Sequence, residues 1–178
     1  MTYKILLFGG RGSGKDTVTE MLIEKLPNAT QVRLAGYVVQ ACKSFGIDNP
    51  TREDLVKIGT VIGRNQISKR VWIDMALADI EKECYNSYII SDVRFDNEYE
   101  IFVDEGFFPV LIDCELDTRI ERVIKRDGHI NMDLLSHESE QNYKKFKPMH
   151  VLDNNGTIEE LSERVDTLIS VINYWRCN

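Results

Sequence analysis

Hydrophobic and polar positions follow two alternating periods along this chain of 178 residues. Tyr3–Phe8 is a short apolar run ending in glycines, which predicts a buried strand. Residues 16–26 carry Val18, Met21, Leu22 and Leu26 at helical spacing until Pro27 stops the pattern. Residues 31–34 predict a second short strand. Helical patterns follow over 36–46, 51–66 and 69–85, and the middle one opens with Thr51 and Asp54 at capping-box spacing. After Asn86, residues 87–91 predict another buried strand, and 97–105 a helix ended by Gly106. Residues 108–113 are strand-like, 118–126 are helical with Gly128 past the end, and 148–152 form a last short apolar run. The clearest helix covers 157–171. There Ile158, Leu161, Val165, Leu168, Ile169 and Ile172 fall on one stripe, and Thr157 with Glu160 makes a capping box.

Short apolar strands alternating with amphipathic helices imply an α/β fold, a parallel sheet covered on both faces by right-handed crossovers. Ligands gather at the C-terminal strand ends of such sheets. Functional residues are therefore expected just after Phe8, Leu34, Ser91, Asp113 and Leu152. The length suits one domain over 1–178, and no repeat, linker or low-complexity tract marks a boundary. Apolar residues at 43% and charged ones at 29% describe a globular protein. The net charge of −7 argues against broad nucleic-acid binding. The first apolar run, about five residues, is too short for a signal sequence or a membrane span, so a cytoplasmic location with no membrane partner is expected. Cys42, Cys84, Cys114 and Cys177 are scattered, with no C-x-x-C spacing, which predicts reduced thiols and no structural zinc.

One segment carries chemistry of its own. Gly9-Gly10-Arg11-Gly12-Ser13-Gly14-Lys15 fits G-x-x-x-x-G-K between a predicted strand and a predicted helix. Glycines let successive backbone N–H groups turn inward around phosphate oxygens, the helix N-terminus adds its dipole, and Lys15 supplies a charge to the outer phosphates. The loop Gly10–Thr17 is thus expected to bind ATP with Mg²⁺. Asp16 stands where Ser or Thr normally touches the metal, and a hydroxyl follows at Thr17. The Asp16 carboxylate could hold the metal, accept a proton from an attacking group, or favour the first helical turn.

GSGKDT, RLAG, the helix ending in GR, KRVWIDMAL around Trp72, ISDVRFDNE, HESE and LDNNGTIEEL together resemble the deoxynucleoside monophosphate kinases of tailed phages and their bacterial relatives. More distantly the chain is similar to dephospho-coenzyme A kinases and to P-loop phosphomevalonate kinases. The resemblance implies a P-loop kinase fold with a parallel core of about five strands. It also implies a helical acceptor-binding insert, here residues 36–85, and a short lid near 115–145. Tyr37-Val38-Val39 replaces the Pro, aliphatic residue and Lys that commonly follow LA in the phage enzymes, which leaves the acceptor's identity open. In similar kinases a turn like Asn154-Asn155-Gly156 lines the adenine through its backbone.

Asp92 and Arg94 follow a strand directly, where a carboxylate can position the Mg²⁺ shell and an arginine can grip an acceptor phosphate with two bonds. Glu98 would cap or pair with Arg94. Arg119, Arg122 and Arg126 would form one basic helix face, with Ile120, Val123 and Ile124 toward the core. Of these, Arg122 and Arg126 are the candidates for offsetting charge on the moving phosphoryl group, under a lid whose polar 128–140 stretch includes His137. The expected acceptor contacts are Leu34, Ala35, Gly36, Arg64, Trp72 and Arg94, with Trp72 either stacking on a base or packing in the core. The metal would lie on Asp16 and Asp92, and Asn155 would face the nucleotide. The favoured function is transfer of the ATP γ-phosphoryl to a nucleoside or deoxynucleoside monophosphate by a monomer or homodimer. Alternatives are a kinase for dephospho-coenzyme A or another small acceptor, and a nucleotide-binding regulator.

Overall fold

The structure, a computed structural model, describes residues 2–83, 87–129 and 141–177. Five parallel strands form one sheet: β1 (Tyr3–Phe8), β2 (Ala29–Val32), β3 (Ser87–Ile90), β4 (Phe108–Asp113) and β5 (His150–Asp153), in the order β2-β3-β1-β4-β5. The central strand is fixed in register on both sides, with Ile5 opposite Ile89 and Phe108. Because successive strand side chains point to opposite faces, β1 feeds two cores. Leu6 and Phe8 join Tyr88, Ile90, Trp72 and Phe102 on one face, while Ile5 and Leu7 join Ile89, Val110, Ile112 and Val165 on the other.

The helices are α1 (Lys15–Lys25), α2 (Leu34–Ser44), α3 (Arg52–Val56), α4 (Val71–Lys82), α5 (Asp96–Asp104), α6 (Leu116–Asp127) and α7 (Ile158–Cys177). A π-helical stretch, Lys57–Ile67, continues α3, and a 3₁₀ turn, Asn142–Lys145, precedes β5. Both expected capping boxes form. Asp54 accepts from the Thr51 backbone at 2.9 Å and Glu160 from the Thr157 backbone at 2.9 Å.

Where elements differ from expectation, specific contacts account for it. Strand β2 ends at Val32, because Leu34 starts α2 and buries its side chain under that helix. The predicted helix 51–66 widens after Val56. Within this stretch, Arg64 Nη1 and Trp72 Nε1 both donate to the Gly59 carbonyl, at 3.1 and 2.8 Å. Helix α7 runs to Cys177, past the predicted stop at 171, because Trp175 packs edge-on against Phe108 at 5.2 Å. His137, Cys84 and Asn86, with residues 130–140 of the segment expected to form the lid, lie outside the described residues.

Candidate functional site

Chain reversal after β1 builds the centre of the site. The Ser13 amide donates to the Gly10 carbonyl at 3.1 Å, and α1 starts at Lys15 with Gly14 at φ +93°. Gly14 is required twice over. Its φ is left-handed, and a Cβ there would come within 2.2 Å of Asn154 Nδ2. Lys15 Nζ donates to the carbonyls of Gly9 and Gly10 at 2.8 and 3.2 Å, folded over its own loop. Ser13 Oγ is buried and has no hydrogen-bond partner among the described residues. An orphaned hydroxyl inside a cradle of turned amides, with a lysine above it, fits the phosphate chain of ATP. Among the described residues, no group of three or more His, Cys, Asp or Glu is arranged to hold a metal. A Mg²⁺ carried mainly by phosphate oxygens needs no such cage. Asp16 is exposed on the first turn of α1 and Thr17 is half-buried beside it.

A cavity of about 190 Å³ opens beside the loop, bounded by Gly14, Thr17, Arg122, Asn154 and Ile158. Asn154 organises it. The buried Nδ2 donates to the Ser13 carbonyl at 2.8 Å, the Asn154 amide to Asp113 at 2.7 Å, and the Asn154 carbonyl accepts from Arg122 Nη1 at 2.9 Å. Arg122 also reaches Cys114 Sγ at 3.5 Å, where burial pushes the thiol pKa up. The sequence reading named Asn155 and missed Asn154. Asn155 turns away, accepting from the Glu115 amide at 2.8 Å and donating to Asp153. The N-N-G turn was the available signal, but nothing in its letters says which asparagine faces the loop.

The basic face of α6 is divided differently from expectation. Val123 is buried, but Ile124 is exposed, so it does not face the core. Arg119, the least favoured of the three arginines, is the buried one, and its Nε donates to the Arg11 carbonyl at 2.8 Å. Arg126 lies on the surface and forks onto Asp127 at 2.7 and 2.9 Å, which raises its pKa further, with a smaller contribution from the Asp16 charge. Arg11 shares Asp127 at 2.9 Å, and the pair of guanidiniums holds that carboxyl well below its usual range.

Across the crevice, Asp92 joins two elements. Its carboxylate accepts from the amides of Leu34 at 3.1 Å and Ala35 at 2.9 Å, capping α2. Burial raises the Asp92 pKa, and the two amides oppose that shift. Gly36 lies exposed on the same first turn, and Arg94 is exposed just after β3. Glu98 takes the capping role of its two expected ones, at the start of α5. Only 2% exposed, it accepts from the backbone amides of Arg94 and Phe95 and from Arg64 Nη2 at 2.8 Å. Arg64, expected to touch the acceptor, is instead tied to Glu98 and the Gly59 carbonyl, with its guanidinium 4.8 Å from the Phe95 ring. Trp72 is a core residue, buried with its N–H satisfied, so its face is not offered to a base.

No family model matches the chain. A dephospho-CoA kinase of Oceanobacillus iheyensis is 26% identical along 95% of this chain and 97% of its own. A Thermus thermophilus protein of solved structure superposes with a TM-score of 0.65 at 17% identity, covering 95% of this chain and 98% of that one. A shikimate kinase from Bacteroides thetaiotaomicron superposes at 0.64 with 18% identity, covering 96% and 98%. The fold is that of the P-loop kinases. Among the described residues, no helix is long and apolar enough to cross a membrane.

Proposed function

We propose that the protein is an ATP-dependent kinase that phosphorylates a nucleoside or deoxynucleoside monophosphate. The observation that carries this reading is the loop itself, with Lys15 and the orphaned Ser13 hydroxyl after β1, next to the strand β3 that Asp92 and Arg94 follow. ATP–Mg²⁺ would supply the γ-phosphoryl group and neutralise part of its charge. Lys15 and the loop amides would hold the outer phosphates, with Asp16, Thr17 and Asp92 toward the metal shell. Arg122 and the turn at Asn154 and Gly156 would bound the nucleoside. Arg94 would grip the acceptor phosphate, and Arg126, once parted from Asp127, would meet the moving charge. A phosphate acceptor is already ionised, so no side-chain base is required. Such an enzyme would act in the cytoplasm, where its nucleotides are.

A second reading, a dephospho-CoA kinase, is favoured by the Oceanobacillus iheyensis relative. A hydroxyl acceptor must give its proton to a base, and Asp92, with its pKa raised by burial, is the carboxylate suited to take it. Both Asp92 oxygens already accept backbone amides, which weighs toward the phosphate acceptor. The test is ADP release from ATP–Mg²⁺ with each common NMP and dNMP, dephospho-CoA, and water alone. Turnover on one or a few nucleotides, abolished in Lys15→Ala and strongly reduced in Arg94→Ala, supports the first reading. Turnover on dephospho-CoA alone, lost in Asp92→Asn with ATP affinity intact, replaces it with the second. ATP binding with no turnover on any of these acceptors rejects both and leaves a kinase for another small acceptor or a regulator.

A further inference from the structure

The most buried of the paired or loop-facing arginines, Arg119, has no acid paired with it among the described residues. Arg11, Arg64, Arg70, Arg126 and Arg164 each pair with a carboxylate, and their side chains are between 20% and 58% exposed. Arg119 is 7% exposed, yet among the described residues no carboxylate pairs with it. Its bonds go to neutral oxygens, the Arg11 carbonyl at 2.8 Å and, at a long 3.5 Å, the Tyr143 hydroxyl. The guanidinium lies so close to the phosphate loop that a Cβ on Gly10 would come within 2.2 Å of Nη2 and 2.3 Å of Cζ.

A charge taken out of water needs a counter-charge, and burying one without it is unfavourable unless a ligand supplies what the fold lacks. We infer that Arg119 is a further nucleotide-binding residue beside the phosphate loop, its counter-charge supplied by the phosphate chain of the bound nucleotide. This rests on the reading that the loop binds nucleotide. The guanidinium adds a positive charge beside a loop whose own cations are Lys15 and Arg11, the latter already paired with Asp127. Gly10 and Arg119 pack as a pair, since any Cβ at position 10 would have to displace the guanidinium.

The charge and the brace can be separated with Arg119→Met, which removes both, and Arg119→Lys, which keeps the charge but not the Nε bond. Calorimetry would measure ATP and adenosine binding, and thermal unfolding would be followed with and without ATP or inorganic tripolyphosphate. For Arg119→Met, the expected result is ATP binding weakened at least about tenfold, with adenosine binding unchanged, as removal of a charge-assisted contact predicts. The nucleotide-free melting temperature is kept or raised, and the rise on adding tripolyphosphate is lost. Arg119→Lys retains ATP affinity to within about threefold. If Arg119→Met binds ATP as wild type does, or if ATP and adenosine weaken equally, the inference is overturned while nucleotide binding stands. If Arg119→Met cannot be purified, Arg119→Lys decides, and a loss of about tenfold or more in that variant also overturns it. Absence of ATP binding by the wild-type protein overturns the underlying reading along with the inference.

Discussion

The Asn154 side-chain amide donates to the Ser13 carbonyl across 2.8 Å, tying the turn after β5 to the phosphate loop after β1. The two residues are 141 positions apart in sequence, and both are buried. Strand order explains the meeting: β5 lies beyond β4, which pairs directly with β1, so their C-terminal loops converge at one end of the sheet. Asn154 thereby sets the back of the loop and the floor of the cavity with one side chain.

Replacing Asn154 by Ala should therefore disturb stability and nucleotide binding together. The Ser13 carbonyl would be left buried without its donor, costing about 1–3 kcal/mol. ATP affinity should fall as well, because Gly14 loses the neighbour that confines it. Urea denaturation and ATP titration on the same variant check this, and a stable variant with normal ATP affinity would refute it. Asn155→Ala, whose target lies outside the loop, should leave ATP affinity near wild type.

Glu98 is the most consequential carboxylate away from the loop. It answers Arg64 and caps α5 at once, so Glu98→Ala strands a half-buried guanidinium and two backbone amides. Truncating one member of a buried ion pair costs about 3–5 kcal/mol, which identifies this as the largest single-site loss predicted here. Chemical denaturation reads it directly. A double variant, Glu98→Gln with Arg64→Met, should recover part of that loss, and no recovery would mean the pair is not the cause.

Trp72→Phe separates packing from recognition. The ring volume is largely kept, but the Gly59 carbonyl loses the indole donor at 2.8 Å, so stability should fall by about 1–3 kcal/mol. The acceptor KM should stay unchanged, because the indole does not reach the crevice. A marked rise in acceptor KM with stability intact would return Trp72 to the binding site.

These contrasts show what the letters carry and what they do not. β1, β4 and the loop between β1 and α1 were readable because periodicity and the glycine–lysine pattern are local properties. The capping boxes at Thr51 and Thr157 were readable for the same reason. Asp92 as the cap of α2, Glu98 as the partner of Arg64, and Arg119 as the brace of the loop depend on residues brought together by strand order. A charged residue on an amphipathic helix looks solvated in sequence, and Arg119 is buried only because the phosphate loop packs over it. The π-helical stretch was hidden too, and so was the convergence of Arg64 and Trp72 on its Gly59 carbonyl, which joins two elements.

His150 gives a pH dependence whose sign can be worked out. It opens β5 opposite Val110, half-buried, and burial lowers its pKa from the ordinary 6.5. Below 6.5 the unfolded chain takes up a proton that the folded chain resists, so the unfolded state binds more protons in that window. Stability is therefore fully present above the unfolded value and declines as pH falls from about 6.5 through the lowered folded value. His150→Gln cannot ionise, so in urea denaturation from pH 8 to about pH 5 the variant should lose less stability than wild type. Other titrating groups are common to both proteins and cancel in the difference. Parallel pH profiles for the two would show that the imidazole is as free to ionise in the fold as outside it.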